Sequence, residues 1–498
     1  MRSSYYLCIL LFWSLGFHQS FAQEFKPFSV VNQTNGLNAD ILLIGNNNLS
    51  QDAYLPYDDT EPNDRISMVY VNVDTANRTI YNSSRAKLTI PTAYQACYKI
   101  KYAALYWAGI YNKTTLDITK VKLKLPGSAI YEDIAGTLIY NEDLETNKPY
   151  AAYADVTNLL NKGGDVQGDY TVANIVCSQG KVQGGYSAGW HLYVIYENPN
   201  LPAKNITSFN GFTKLNNTNE LDVNVSGFKT IPTGNVGAWV AFGALEGDQQ
   251  ISGDFFKINN VLMQPPFRKI NDFVNDRKQN FFNSTFTNPS GLLPDREPNS
   301  RNTLGYDAGI FKVDNPSNSV IKNNDTSASI NLGTSGDQYF VFFTAFAVDV
   351  IGPRIILRKN VTNNAGVDIS NQTVDICDEI NYNIFFDNIG NDDAQGLASH
   401  KYGSNYVLLK DILPQNVLLQ SVISTNTALN TSMKYEVNPA NPRELFIYIP
   451  KAYLKKDAPE YSIIIKVKVA CSCDQFTTAC SNEIKNQAFV EYRGLLIM

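Results

Sequence analysis

The sequence predicts an all-β protein built of tandem β-sandwiches. Short runs alternate polar and apolar residues, as in Lys466-Val467-Lys468-Val469 and Lys120-Val121-Lys122-Leu123-Lys124-Leu125. Other runs are β-branched and aromatic, as in Ile384-Phe385-Phe386 and Tyr193-Val194-Ile195-Tyr196. Turn-forming clusters separate them, such as Gly45-Asn46-Asn47-Asn48 and Glu197-Asn198-Pro199-Asn200. Strands of this length with turn signals at short intervals are the pattern of a sandwich. Phe340–Val348 is apolar throughout and reads as a strand buried on both faces. Long amphipathic helices are missing. One short helix is expected at Asp155-Val156-Thr157-Asn158-Leu159-Leu160, with Asp155 as its cap and Gly163-Gly164 as its end.

Residues 1–22 have the three parts of a signal peptide: Arg2, the apolar run Tyr5–Phe17, and Ser20-Phe21-Ala22 before a cut at Gln23. The apolar run is shorter than the ~20 residues that span a bilayer core, and no later stretch reaches that length. Cys8 lies inside the apolar run, which argues against a lipid anchor. The remaining chain is long enough for roughly two to four domains at ~100–200 residues each. The strongest boundary is Ile351-Gly352-Pro353, which divides an N-terminal region, 23–350, from a C-terminal domain, 353–498. The N-terminal region holds one or two sandwiches, with a possible break near residue 200 at Pro199 and Pro202. The net charge of −6 and pI near 5.3, with scattered Lys and Arg, exclude a nucleic-acid footprint.

Six of the seven cysteines lie beyond the signal segment. An even number in an exported chain points to disulfides. The expected pairs are Cys97–Cys177, Cys377–Cys471 and Cys473–Cys480. A zinc site is disfavoured because Cys471, Cys473 and Cys480 lack the C-x₂₋₄-C spacing.

Candidate chemistry is sparse. Gly185-Tyr186-Ser187-Ala188-Gly189 matches G-x-S-x-G, but a nucleophile elbow needs a strand before the serine and a helix after it. Here a loop precedes Ser187 and a strand follows. Only His191 and His400 lie outside the signal segment, and His191 is on that strand, so a catalytic role is not expected. No P-loop or dinucleotide fingerprint is present. Calcium is the one cofactor the residues leave open. Asp58-Asp59-Thr60-Glu61-Pro62-Asn63-Asp64 and Glu246-Gly247-Asp248 with Asp254 offer clustered oxygen ligands in loops. Asp248 and Asp254 are the preferred pair, because each follows a glycine. Trp107, Trp190 and Trp239 lie in apolar strand contexts and read as core rather than as sugar-stacking platforms.

Two stretches carry a family resemblance. Residues 354–494 resemble the conserved repeat domain of unknown function found in tandem in bacterial surface proteins. The carriers are Tyr382-Asn383-Ile384-Phe385-Phe386-Asp387-Asn388-Ile389-Gly390, Asp393-Ala394, Leu409-Lys410-Asp411-Ile412-Leu413-Pro414 and Asn486-Gln487-Ala488. The resemblance implies an immunoglobulin-like sandwich. Asn388 and Gly390 suit a turn with positive φ, and Pro414 suits a strand end. The N-terminal region resembles the module that precedes such repeats in exported adhesin-like proteins, including gliding motility-associated proteins of bacteria with type IX secretion. Its carriers are Ala103–Gly109, Ala154–Thr157, Gly189–Tyr196, Gly247-Asp248 with Gly253-Asp254, and Asn302–Asp307. The chain stops at Leu495-Leu496-Ile497-Met498, without the C-terminal sorting domain the resemblance leads one to expect.

The expected architecture is a jelly-roll-like N-terminal region followed by an immunoglobulin-like domain. The expected function is non-enzymatic: a secreted or cell-surface adhesin or structural protein presenting loops on a rigid scaffold to an extracellular protein or glycan. The alternatives are a carbohydrate-binding module protein and an extracellular hydrolase.

Overall fold

The computed structural model describes residues 23–141, 148–162, 164–268, 280–472 and 484–494. The signal segment, Gly163, Cys473 and Cys480 lie outside the described residues. The chain is all-β, with tandem sandwiches as the sequence predicts.

Ten strands carry the argument: β1 (Gln23–Asn47), β2 (Lys99–Ile110), β3 (Ala188–Glu197), β4 (Ala203–Leu215), β5 (Ala238–Leu245), β6 (Tyr306–Lys312), β7 (Tyr339–Asp349), β8 (Ile355–Asn363), β9 (Tyr406–Ile412) and β10 (Gln487–Glu491). Among the described residues one 11-stranded sheet runs through the N-terminal region, with β6-β5-β7-β4-β1-β3-β2 as its central order. β1 joins its two halves. Residues 23–38 pair antiparallel with β4, and residues 39–47 pair antiparallel with β3. The region is therefore two cores built on one continuous sheet, and the turn at 198–202 connects neighbouring parts of that sheet.

Each half carries its own cover. A five-stranded sheet containing Ser83–Leu88, Lys120–Lys124 and Gly168–Ala173 packs on the β3–β2 half. A four-stranded sheet containing Glu220–Ser226, Phe255–Ile258 and Ser327–Gly333 packs on the β4–β7–β5 half. The large sheet also folds back on itself. Tyr106 of β2 lies 4.5 Å from Phe343 of β7, and its hydroxyl donates to Asn210 of β4 at 2.8 Å. β7 therefore has no solvent face. Phe340, Phe342 and Ala345 belong to one core, while Tyr339, Val341, Phe346 and Val348 belong to the other. A strand buried on both sides needs no polar alternation, which is why Phe340–Val348 is continuously apolar.

The expected short helix is Thr157–Lys162. Asp155 Oδ1 accepts the Thr157 N–H at 2.9 Å and satisfies one of the free amides of its first turn.

The C-terminal part is a two-sheet sandwich. β8, Glu379–Asn388, Tyr461–Val469 and Val417–Ile423 form one sheet. Lys434–Asn438, Asn441–Pro450, β9 and β10 form the other. In Glu379–Asn388 the buried residues Ile380, Tyr382, Ile384 and Phe386 alternate with half-buried ones, as a sandwich strand requires. The expected positive-φ turn at Asn388 and Gly390 is not formed, since neither residue has positive φ. Asn388 instead closes the strand end with its side chain. Oδ1 accepts from Arg354 N and Gly390 N, and Nδ2 donates to Asp392 O and Leu454 O. Gly390 is needed for space, because a Cβ there would lie 2.3 Å from Arg354 N. Arg354 donates to Pro199 O and Asn200 O of the 198–202 turn, and Tyr492 donates to Asn38 of β1, so the C-terminal sandwich contacts the N-terminal region at two points.

Cys377 and Cys471 form a disulfide across 94 residues. Cys97 and Cys177 do not pair, which corrects the expectation. Cys97 sits just before β2, while Cys177 packs beside Gly109 at the other end of that strand. Twelve extended residues at about 3.3 Å each put the two thiols on the order of 40 Å apart, far beyond the ~6 Å Cα separation of a disulfide. Cys97 is exposed, and burial holds the Cys177 thiol well above its ordinary pKa. A maleimide reagent should therefore label Cys97 in the folded chain and Cys177 only after denaturation. Peptide mapping of the labelled sites checks this, and Cys97→Ser should remove the native-state label from the peptide that contains position 97.

Candidate functional site

The residues singled out from sequence meet at one end of the large sheet. Ser187 precedes β3 and Glu246 follows β5. The Ser187 hydroxyl donates to Glu246 Oε1 at 2.5 Å, and Asn63 Nδ2 donates to the same carboxyl at 3.2 Å. Gly305 has a φ of +92°, and a Cβ on it would press into Asn63, Ser187 and Glu246. Burial pushes the Glu246 carboxyl up to about 8, reinforced by Asp248 and opposed by the Ser187 and Asn63 hydrogen bonds. Ser187 is fully buried and is followed by a strand, not a helix. His191 does not reach it. Its Nδ1 meets the Tyr306 hydroxyl at 3.0 Å, and its ring stacks on Tyr106 at 4.8 Å. His400 lies in the C-terminal sandwich against Glu491. G-x-S-x-G is here a packed turn with a carboxyl beneath it, closed to solvent.

Asn302–Asp307 is explained by the same junction. Asn302 Nδ2 donates to Asp59 O and Glu61 O and so ties down the 58–64 loop. Tyr306 holds His191. Asp307 pairs with the fully buried Arg268 at 2.6 Å. The guanidinium also donates to Phe281 O, Thr285 O, Thr287 Oγ1 and Ala308 O, and the second Asp307 oxygen accepts from Ser284 N. A buried ion pair persists only when its remaining hydrogen-bonding sites are filled, and here they are.

The two acidic stretches considered for calcium are spatial neighbours. Gln250 donates to Thr60, Asn63 to Glu246, and Asp64 acts electrostatically on Asp248. Burial, then Asp64, pushes Asp248 up to about 7. Asp254 is fully buried, and neither of its oxygens completes a hydrogen bond. Its carboxyl is held well above the usual range by burial, with the Thr334 hydroxyl acting in the opposite sense. Asp337, in the facing 334–337 loop, is pushed up to about 9 by burial and then by Asp254. Asn280 Nδ2 is committed to Asp248 O and Gln249 O at 3.0 Å, which leaves its buried Oδ1 without a partner. Asp64 Oδ1 and Asp337 Oδ2 are likewise buried and unpartnered. Among the described residues no three Asp, Glu, His or Cys side chains form a metal-holding group. Sequence reasoning missed Asp337 and Asn280. Gly336-Asp337 repeats the pattern of Gly247-Asp248 and Gly253-Asp254 and was legible; Asn280 carried no signal.

Trp107 and Trp190 are buried. Trp107 donates to Ile118 O and Trp190 to Ser84 Oγ. Trp239 is half-buried beneath the ammonium groups of Lys204 and Lys312. The exposed aromatics Tyr54, Tyr81, Phe267, Tyr435 and Phe489 lie on separate loops and strands rather than in a row. A surface pocket of about 240 Å³ lined by Gln51, Asp52, Leu55, Pro56 and Tyr57 falls below the ~300–1,000 Å³ of small-molecule sites. Among the described residues no helix is long and apolar enough to cross a membrane.

No family model matches the chain, and no curated protein sequence matches it. Among solved structures it is similar to the C-terminal domain of the Streptococcus agalactiae AgI/II polypeptide BspA, with a TM-score of 0.21, 11% identity, and coverage of 83% of this chain and 88% of that one. It is also similar to the N-terminal domain of the Streptococcus gordonii adhesin Sgo0707, with a TM-score of 0.22, 10% identity, and coverage of 95% and 93%. Likenesses at these TM-scores carry no argument about this chain, and the reading rests on its own residues.

His191 contributes to the pH dependence of the fold. Burial lowers its pKa to about 3 from an ordinary 6.5. The folded state thus excludes a proton that the unfolded state accepts below about pH 6.5. The contribution of His191, fully present above that pH, should be lost as pH falls from about 6.5 toward 3, by up to ~1.4 kcal/mol per pH unit, while the raised buried carboxyls of Glu246, Asp248 and Asp337 act in the opposite sense. Denaturant midpoints of the wild type and of His191→Gln measured across that window check this: the stability of the wild type relative to the variant should fall with pH.

Proposed function

We propose that this chain is an adhesin-type or structural protein of the bacterial cell surface, exported through residues 1–22, and that it does not catalyse. The observation that carries this reading is the commitment of its reactive side chains to packing. Ser187 and His191 are fully buried, the Ser187 hydroxyl bound to Glu246 and His191 Nδ1 to the Tyr306 hydroxyl. A nucleophile must touch its substrate, and these residues meet no solvent. What the molecule offers the exterior is a rigid β-scaffold with long polar loops, the arrangement on which recognition surfaces are commonly carried.

A second reading concerns calcium at Asp248 and Asp254. It is favoured by the buried, unpartnered oxygens of Asp64, Asp254, Asn280 and Asp337. All are hard acceptors, and an unpaired buried acceptor is costly. With no acidic triad among the described residues, the ion would complete its 6–8 oxygen ligands with the Asn280 amide and backbone carbonyls.

Two experiments test these readings. The purified chain should hydrolyse neither ester nor glycoside substrates, and it should bind whole cells or an extracellular matrix or glycan array. Hydrolysis that disappears in Ser187→Ala overturns the non-enzymatic reading. Calcium added to EDTA-treated protein at neutral pH should raise the melting temperature, and Asp254→Asn should abolish the rise. Stability that climbs on acidification and ignores calcium assigns the pocket to shared protons instead.

A further inference from the structure

Three side chains distant in sequence converge inside the C-terminal sandwich. Lys359 lies on β8, the first strand of one sheet. Asp411 lies on β9 of the opposite sheet, and Asn486 immediately precedes β10, which pairs with β9. Lys359 Nζ is 2.5 Å from Asp411 Oδ2. Asn486 Nδ2 donates to Asp411 Oδ1 at 2.7 Å and to Ile412 O at 3.2 Å. One carboxylate thus holds an amine on one oxygen and a carboxamide on the other. Asp411 is fully buried, and the Lys359 ammonium is largely so, 4.8 Å from the centre of the Tyr382 ring. The carbonyl oxygen of Asn486 is buried with no hydrogen-bond partner.

An ion pair alone is a weak account of this arrangement. Burying a lysine and an aspartate costs about as much as their attraction returns, and the pair leaves the Asn486 carbonyl unsatisfied. The arrangement has a chemical use instead. A lysine amine becomes nucleophilic when it loses its proton, and an apolar site favours that loss. Burial lowers the pKa of Lys359, with Asp411 acting against it.

We propose that Lys359 and Asn486 condense into an intramolecular isopeptide bond, with Asp411 as the catalytic proton carrier. Asp411 takes one proton from the Lys359 ammonium. The freed lone pair of Nζ attacks Cγ of Asn486, and the Nζ–Cγ bond forms. The Cγ–Nδ2 bond then breaks. Nδ2 departs as ammonium, carrying one proton returned by Asp411 and one from the attacking nitrogen. Charge and atoms balance, Asp411 ends as the carboxylate it began as, and no oxidant, nucleotide or water is consumed. Asp411 is suited to both transfers because its two oxygens already contact the attacking and the leaving nitrogen. Fixed proximity in a folded core supplies the high effective concentration such a condensation needs. The product is an amide that ties the first strand of one sheet to the last strand of the other.

The test is the intact mass of the reduced, denatured full chain. The wild type should be lighter than its sequence by one ammonia, and a proteolytic digest should contain a branched peptide joining Lys359 to Asn486. Asp411→Asn, Asn486→Ala and Lys359→Arg should each show the full mass for their sequence and yield two separate peptides. Lys359→Arg keeps the positive charge without the nucleophile, so its folded, uncrosslinked state separates the chemistry from the fold. A folded wild type at full mass, with Lys359 and Asn486 in separate peptides, overturns the proposal.

Discussion

The N-terminal architecture depends on one strand serving two partners. β1 hydrogen-bonds to β4 along its first part and to β3 along its second. Those neighbours belong to different cores, so the two cores share a single sheet and cannot separate as independent sandwiches. The fold-back that places Tyr106 against Phe343 follows from this continuity. It also leaves β7 with apolar residues on both faces, since each face fills a different core.

The same constraint gathers the motif residues. Glu246 ends β5, Ser187 enters β3 and Asn302–Asp307 leads into β6, and all three strand ends meet where the sheet curls. A loop carrying Asn63 closes over them. Carboxyls are crowded there because the curl buries turn residues that would ordinarily be solvated, and burial is the first cause of every raised carboxyl in the group. The junction is thus both a packing device and a place where several carboxyl and amide oxygens are buried without partners.

The C-terminal sandwich is organised differently. Its sheets meet through an alternating apolar core, and its polar residues mark the places where chain segments are tied. Asn388 closes a strand end, Cys377 and Cys471 bridge the chain, and Lys359, Asp411 and Asn486 join opposite sheets. Two of those last three lie in the segments Leu409–Pro414 and Asn486–Ala488, which stand out in the sequence. Lys359 does not, because nothing local distinguishes a lysine aimed into a sandwich from one in water.

Residue order alone determined the strand content, the capped short helix and the doubly buried β7, because these follow from periodicity and backbone preference over a few neighbours. It also singled out Asp248 and Asp254 as calcium candidates through their glycine-flanked turns. Tertiary structure decided what depends on distance across the fold. It separated Cys97 from Cys177 by the length of β2, gave Gly390 its role through the approach of Arg354, and set Asp337 and Asn280 beside Asp254. It also brought Lys359 onto the carboxylate that holds Asn486. Each of these is a contact between segments far apart in the chain, and its geometry exists only after the sheets have paired.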